Sequence, residues 1–405
     1  MRKILPAIFF AFFFFISVNT ANAATKSISI IRTDCSIKSI PTAHCYNSLS
    51  AWEAGEHRNI VSSDEIEIVK IEGPWTKPDT TSVKLTGWVT DKTHYIKIYT
   101  APDARHRGVW NNTKYRLVIS RPGSAISFPA NGPLFITIDG LQIWNNYSGN
   151  SNIGAIDLAS TDDTEINISN NILRGPDTNS NKMSLNGIQS VSGIGRTVKI
   201  WNNIIYNWLG ISSGNCLNVY NKYLYIFNNT LYNCHVGIHT EGSTNFHARN
   251  NIIYNTTIPF SSINPLLDSD YNLTDSPFMY YYWSQEHAGH TNDLVNKYPS
   301  FISTVSGSED LHLSSSDTSA KDAGVNLLSN SHITFSTDID GERRISPWDI
   351  GADEYTTPIS QGVLLNTTFN CTESTQYNGT LCDGLKWGGA WYFGNYRTQI
   401  TSAAN

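Results

Sequence analysis

A pair of asparagines preceded by alternating apolar residues recurs through the middle of the chain, and few sequence features restrict a fold so tightly. The pattern apolar-x-apolar-x-Asn-Asn occurs at 141–146, 166–171, 198–203, 224–229 and 246–251, so the first Asn of each pair stands at 145, 170, 202, 228 and 250, with spacings of 25, 32, 26 and 22 residues. Self-similarity with a period of about 20 to 50 residues marks a stacked architecture, because one unit alone cannot bury its apolar face. The residues four and two before the first Asn are expected to point inward. They form two stacks: Leu141, Ile166, Val198, Leu224, Phe246 and Ile143, Ile168, Ile200, Ile226, Ala248. The first Asn is then expected at a corner, its amide bonded to the equivalent Asn one coil above and below, at the strand spacing of about 4.8 Å. A buried polar corner is tolerable only when so paired. Ile172, Ile204, Thr230 and Ile252 open the next strand.

Strand signals continue outside the repeat. Ile66-Glu67-Ile68, Val83-Lys84-Leu85, Tyr95 to Tyr99, Arg116 to Ile119 and Leu134 to Ile138 have the pattern of half-buried strands, with turn signals such as Gly73-Pro74 and Lys77-Pro78 between them. Charged residues make up 15% of the chain, against about 25% in ordinary domains; Asn, Ser, Thr and aromatics replace them, which suits strands and turns. No segment in this N-terminal half offers a long amphipathic helix, which argues against alternating strand–helix folds. One short helix is expected from Ser50 to about Glu56, where Ser50-Ala51-Trp52-Glu53 has capping-box spacing. It would plug the open end of the stack, with Trp52 pressed on the first coil. Thr25 to Cys45 reads as a polar lead-in.

Arg2 and Lys3, the apolar run Ile4 to Val18 and the small-x-small step Ala21-Asn22-Ala23 predict a secretory signal peptide over residues 1–23. The mature chain is expected to be soluble, exported and monomeric, with no apolar run long enough to span a bilayer. A formal net charge of −6 and no basic stripe argue against nucleic acid. Six cysteines suit an oxidising compartment, and their spacing suggests Cys35–Cys45 and Cys371–Cys382. Cys216 and Cys234 lie on neighbouring repeats, bonded or merely buried.

The Asn ladder, the coil length and the Gly-Ile steps that open several coils resemble the right-handed parallel β-helix proteins of the pectin-lyase-like superfamily. Asp270-Tyr271-Asn272, Asp310-Leu311-His312-Leu313, the run Thr337 to Arg343 and the run Asp349 to Tyr355 are similar to closing coils of secreted bacterial β-helix proteins. The resemblance covers about residues 45 to 355. It implies an all-β protein, with a lead-in and cap at 24–60 and a right-handed parallel β-helix at 61–355. It is specific for fold and not for reaction, since the superfamily hosts lyases, hydrolases, esterases and non-enzymatic adhesins. Residues 356–405 differ. After the linker Thr356-Thr357-Pro358 they carry two cysteines and the cluster Trp387, Trp391, Tyr392, Phe393, Tyr396, resembling the first strands of a β-sandwich module of polysaccharide-active enzymes. A sandwich needs about 100 residues, so a partial module is expected.

In that superfamily the substrate lies along the outer face of one strand stack. The segments one strand before each Asn pair are 154–158, 186–190, 216–220 and 236–241. With Ile156, Ile188, Leu217 and Ile238 inward, Asp157, Gln189, Asn218 and His239 form an outward column, and Tyr220 and Glu241 face the same way. Such a column can bind a sugar chain and holds a candidate acid–base set: Asp157, His239 and Glu241. Hydrolysis wants two carboxylates about 5 to 9.5 Å apart, whereas Asp157 and Glu241 are expected three coils, or about 14 Å, apart. The loop carboxylates Asp162 and Asp163 would have to help. Elimination wants a base such as His239 and a cation, from Lys182, Arg174, Arg196 or Ca²⁺. No calcium-loop motif, no paired-Asp hydrolase motif and no tandem Lys/Arg lyase motif is legible, and no cofactor or bound metal is expected. On the opposing reading the column is simply a solvated sheet face.

A second outward face would carry an aromatic strip, Trp144, Trp201, Tyr225 and Phe227, on which sugars could stack unless a loop or the C-terminal module covers it. These features predict a secreted protein that binds, and in the stronger form cleaves as lyase or hydrolase, an extracellular polysaccharide. The alternative is a non-enzymatic structural or adhesive surface protein.

Overall fold

The computed structural model describes residues 23–36, 44–128, 135–147, 149, 151–158, 164–177, 184–190, 193–210, 214–240, 245–262, 269–282 and 285–357. The chain divides after Thr356 into two units; the architecture that follows is that of the first. The signal peptide, the Cys371–Cys382 pair and the sandwich-like segment lie outside the described residues.

The backbone winds into a parallel β-helix with three sheets. The first sheet has nine strands, in spatial order Cys45–Tyr46, Thr25–Ile31, Glu65–Ile71, Ile96–Thr100, Phe135–Asp139, Glu165–Ser169, Gly193–Trp201, Asn221–Phe227 and Asn245–Arg249. The second runs Val83–Lys84, Gly123–Phe128, Ile153–Leu158, Leu185–Ser190, Gly214–Asn218, Val236–Thr240, Ile258–Ser262 and Tyr280–Tyr282, closed by Gln285–His287. The third runs Leu117–Ile119, Gln142–Asn145, Ile172–Arg174, Ile204–Tyr206, Thr230–Tyr232, Ile252–Tyr254 and Leu273–Thr274. Strands of successive coils pair in parallel, and among the described strands of these three sheets only the closing strand of the second is antiparallel. The alternating segments of the sequence fall on these strands.

The register corrects two expectations. Ile136, Ile166, Val198, Leu224 and Phe246 stand opposite one another in the first sheet, as do Ile138, Ile168, Ile200, Ile226 and Ala248, all buried. The level that precedes Ile166 and Ile168 is therefore Ile136 and Ile138, not Leu141 and Ile143, and Ile96 and Ile98 continue the stacks one coil earlier. The stretch 141–146 mimics the repeat but runs through the third sheet, where Ile143 pairs with Leu173. Its coil turns the corner without an Asn pair: Gly140, at φ +78°, holds the left-handed position that Asn170 holds one coil later at φ +54°.

The second correction concerns which asparagine is internal. The buried ladder is built from the second Asn of each pair. Asn171 donates from its backbone and its side chain to Asn203 Oδ1 at 2.9 and 3.0 Å. Asn203 does the same to Asn229, and Asn229 to Asn251, each at 3.0 and 3.0 Å. Asn251 donates to Asn272, and Asn272 to the carboxylate of Asp293, which ends the row. The first Asn of each pair adopts left-handed backbone, φ between 51° and 57° at 170, 202, 228 and 250, a conformation asparagine tolerates. At two steps it bonds to its equivalent one coil away, as expected: Asn202 Nδ2 donates to Asn170 Oδ1 at 3.2 Å and Asn250 Nδ2 to Asn228 Oδ1 at 3.1 Å.

At the N-terminal end the helix spans Leu49–Glu56, capped by Ser48, whose Oγ accepts from Ala51 N at 3.0 Å. Ser50 is therefore not the cap, and Glu53 accepts from Thr86 N instead of closing a capping box. Trp52 is buried and stacked on Trp88 at 5.3 Å, as a plug requires. The lead-in is more ordered than expected, since Thr25–Ile31 pairs along its whole length with Glu65–Ile71. Cys35–Cys45 and Cys216–Cys234 are both disulfides. No helix among the described residues is long and apolar enough to cross a membrane.

Residues 299–355 add no further coil to the three sheets. They fold back along the outside of the solenoid as a strap. A hairpin of Phe301–Ser303 and Asp310–Leu313 sets Phe301 and Leu311 against Tyr232 and its neighbours on the third sheet. The first Asn of three pairs ties the strap down: Asn202 donates to Thr337 O, Asn228 to Asp349 O and Gly351 O, and Asn250 to Val325 O. Buried Arg344 donates to Asn202 Oδ1 at 3.0 Å and pairs with Glu354 at 3.2 Å.

Candidate functional site

Because side chains alternate along a strand, the parallel register of the second sheet aligns one outward row. It reads Lys84, Ser127, Asp157, Gln189, Asn218, His239 and Ser261, each opposite the next. Their chain neighbours Ile126, Ile156, Ile188, Leu217, Ile238 and Phe260 are buried in the solenoid core. The four residues expected to form a column, Asp157, Gln189, Asn218 and His239, are thus brought together, all partly exposed. Tyr220 joins them, its ring edge-on to His239 at 5.6 Å and its backbone N–H bonded to Ser190 Oγ at 2.8 Å.

The row is polar but unevenly satisfied. Burial raises the carboxyl of Asp157 above its ordinary range, opposed by a hydrogen bond with Gln189 and the charge of Arg196. Gln189 Oε1 accepts from Asn186 Nδ2 at 2.7 Å. The amide oxygen of Asn218 is shut off from solvent and has no hydrogen-bond partner among the described residues. An orphaned acceptor of this kind is costly, and it is unusual in a native sheet.

Other candidates are not part of this row. Glu241, Asp162, Asp163 and Lys182 lie outside the described residues. Arg174 stands on the third sheet, paired with Asp177 at 2.6 Å. Arg196 is buried and donates to Leu158 O at 3.2 Å. Asp157 and His239 sit three coils apart, or about 14 Å at the strand spacing, so the two cannot flank one bond.

The aromatic strip is corrected in both position and exposure. Trp201 stands opposite Phe227, and Tyr225 opposite His247, on the first sheet. Yet Tyr225 is 6% and Phe227 0% exposed. Leu327, Ile333, Phe335 and Trp348 of the strap pack over them, and His332 stacks on Tyr225 at 4.2 Å. The face belongs to an inner layer, and a sugar cannot reach the rings of Tyr225 and Phe227. Trp144 is on another face altogether, in a third-sheet row with Arg174, Tyr206, Tyr232 and Tyr254. The Arg174 guanidinium lies 4.3 Å from its ring. This second row was available to sequence reasoning, because Asn-Asn-x-x-Tyr recurs at 202–206, 228–232 and 250–254.

Compared with protein-family models and with curated protein sequences, the chain finds no match.

Proposed function

We propose that this is an exported β-helix protein of the pectin-lyase-like kind that binds an extracellular polysaccharide along the second-sheet row. The observation that carries the reading is the row itself: polar side chains from Ser127 to Ser261, one per coil and in register, with Asp157, Gln189, Asn218 and His239 all partly exposed. A polymer laid across the coils would meet one polar side chain every ~4.8 Å. Tyr220 beside His239 supplies an apolar edge for sugar C–H groups. Two disulfides, and the lack of a membrane-crossing helix among the described residues, are consistent with an extracellular location.

For cleavage, His239 is the candidate base and Asp157 the candidate acid. Their separation of about 14 Å places them on different sugar units, and it favours a second reading in which the row grips a glycan without cutting it. The test is to incubate the mature protein with uronic-acid and neutral glycans and to follow gel retardation, reducing ends and unsaturated-uronide absorbance. Retardation by at least one glycan is expected. New ends that vanish in His239→Ala would establish the enzymatic form, and indifference to every glycan would sink both.

A further inference from the structure

The strap carries a second polar cluster, on different elements from the glycan row. His312, in the strand Asp310–Leu313, shares Nδ1 with Asp310 Oδ1 at 2.6 Å, and its Nε2 lies 3.0 Å from Asp340 Oδ2. Asp353 is alongside, with Oδ2 accepting from Leu313 N at 2.7 Å. One donor atom from each of His312, Asp340 and Asp353 lies within 4.8 Å of the other two.

Two observations separate this cluster from a plain ion pair. Asp340 Oδ1 is closed off from solvent and has no hydrogen-bond partner among the described residues, an expensive state for a carboxylate oxygen. Facing it is Gly108, at φ +67°, where an added Cβ would come within 2.1 Å of His312 Nε2 and 2.6 Å of Asp340 Oδ1. Both donor atoms therefore border a space that only a glycine leaves open.

We propose that His312, Asp340 and Asp353 bind a divalent transition-metal ion of the zinc class, which ties the hairpin strand Asp310–Leu313 to the later turns of the strap beside Gly108. The hydrogen bond from Nδ1 to Asp310 orients the ring and leaves Nε2 as the ligand, the carboxylate–histidine–metal arrangement that tunes many metal sites. One imidazole with carboxylates suits Zn²⁺ or Mn²⁺, whereas Ca²⁺ prefers oxygen ligands throughout. Binding displaces the Nε2 proton, so protons are released as the ion enters.

The test uses the full chain, stripped with a chelator and titrated calorimetrically with Zn²⁺ near neutral pH. About one equivalent should bind with proton release, and the thermal midpoint should rise, because the ion binds the folded state. Asp310→Asn should weaken binding about 10–100-fold, the usual cost of losing such a partner. Asp340→Asn keeps an acceptor for His312 and should retain its circular dichroism while losing most of the affinity. X-ray absorption of the zinc-loaded wild type, which needs no variant, should show one imidazole among oxygen ligands. No saturable Zn²⁺ binding, unchanged affinity in a folded Asp340→Asn, sulfur ligands, or selective uptake of Ca²⁺ would each overturn the assignment.

Discussion

Asparagines 228 and 229 are chemically identical neighbours with different tasks. Asn229 accepts two bonds from Asn203 and donates to Ile200 O and Asn251 Oδ1, all inside the solenoid. Asn229→Leu strands several of these groups, each at about 1–3 kcal/mol, so chemical denaturation should show a loss of about 3 kcal/mol or more. Asn228 sits at φ +51° and reaches outward to the strap. A residue with a Cβ and no local hydrogen bond pays about 1–2 kcal/mol for that backbone, so Asn228→Gly should be milder than Asn228→Leu in the same experiment. Alternation in the sequence could not separate the two residues. It determines which side of a strand a residue faces, but the left-handed turn at the first Asn breaks that parity and puts the second one inside.

Among the elements, the strands were legible and the strap was not. Ile96, Ile136, Ile166 and Val198 alternate with polar neighbours because one face of each strand is buried in the coil core, whereas in Glu65–Ile71 the parity is inverted, with Glu67 buried and Ile66 half-exposed. The same logic says only that Tyr225 and Phe227 point away from that core. It cannot say whether water or protein lies beyond, and Trp348 and Leu327 lie beyond. The strap itself has no period, since its order comes from carboxylates bonded to its own backbone. Asp338 accepts from Asp340 N, Glu342 N and Glu354 N. Two substitutions test its docking. Trp348→Ala should cost about 3–5 kcal/mol as a large buried truncation, and should speed hydrogen exchange over 322–355 while the inner ladder stays protected. Arg344→Met strands buried Glu354 and should cost about 3–5 kcal/mol; a loss under ~1 kcal/mol would show that the pair does not hold the strap.

Across the whole molecule, each coil touches chiefly the next, and the two ends are closed by different means. The helix seals one end with Trp52, and Asp293 ends the Asn row towards the other. Such a quasi-one-dimensional stack makes a regularly spaced surface, of which the second-sheet row is one. The outward row was legible because the register of Asp157, Gln189, Asn218 and His239 follows from their inward neighbours Ile156, Ile188, Leu217 and Ile238. Exposure of the aromatic rows was not, because it depends on a segment more than a hundred residues away. The glycan reading is tested most directly by affinity-gel retardation of the wild type beside a Gln189→Ala/Asn218→Ala double variant with unchanged circular dichroism. The account predicts a glycan that retards the wild type and releases the variant. Equal retardation of both proteins would contradict it.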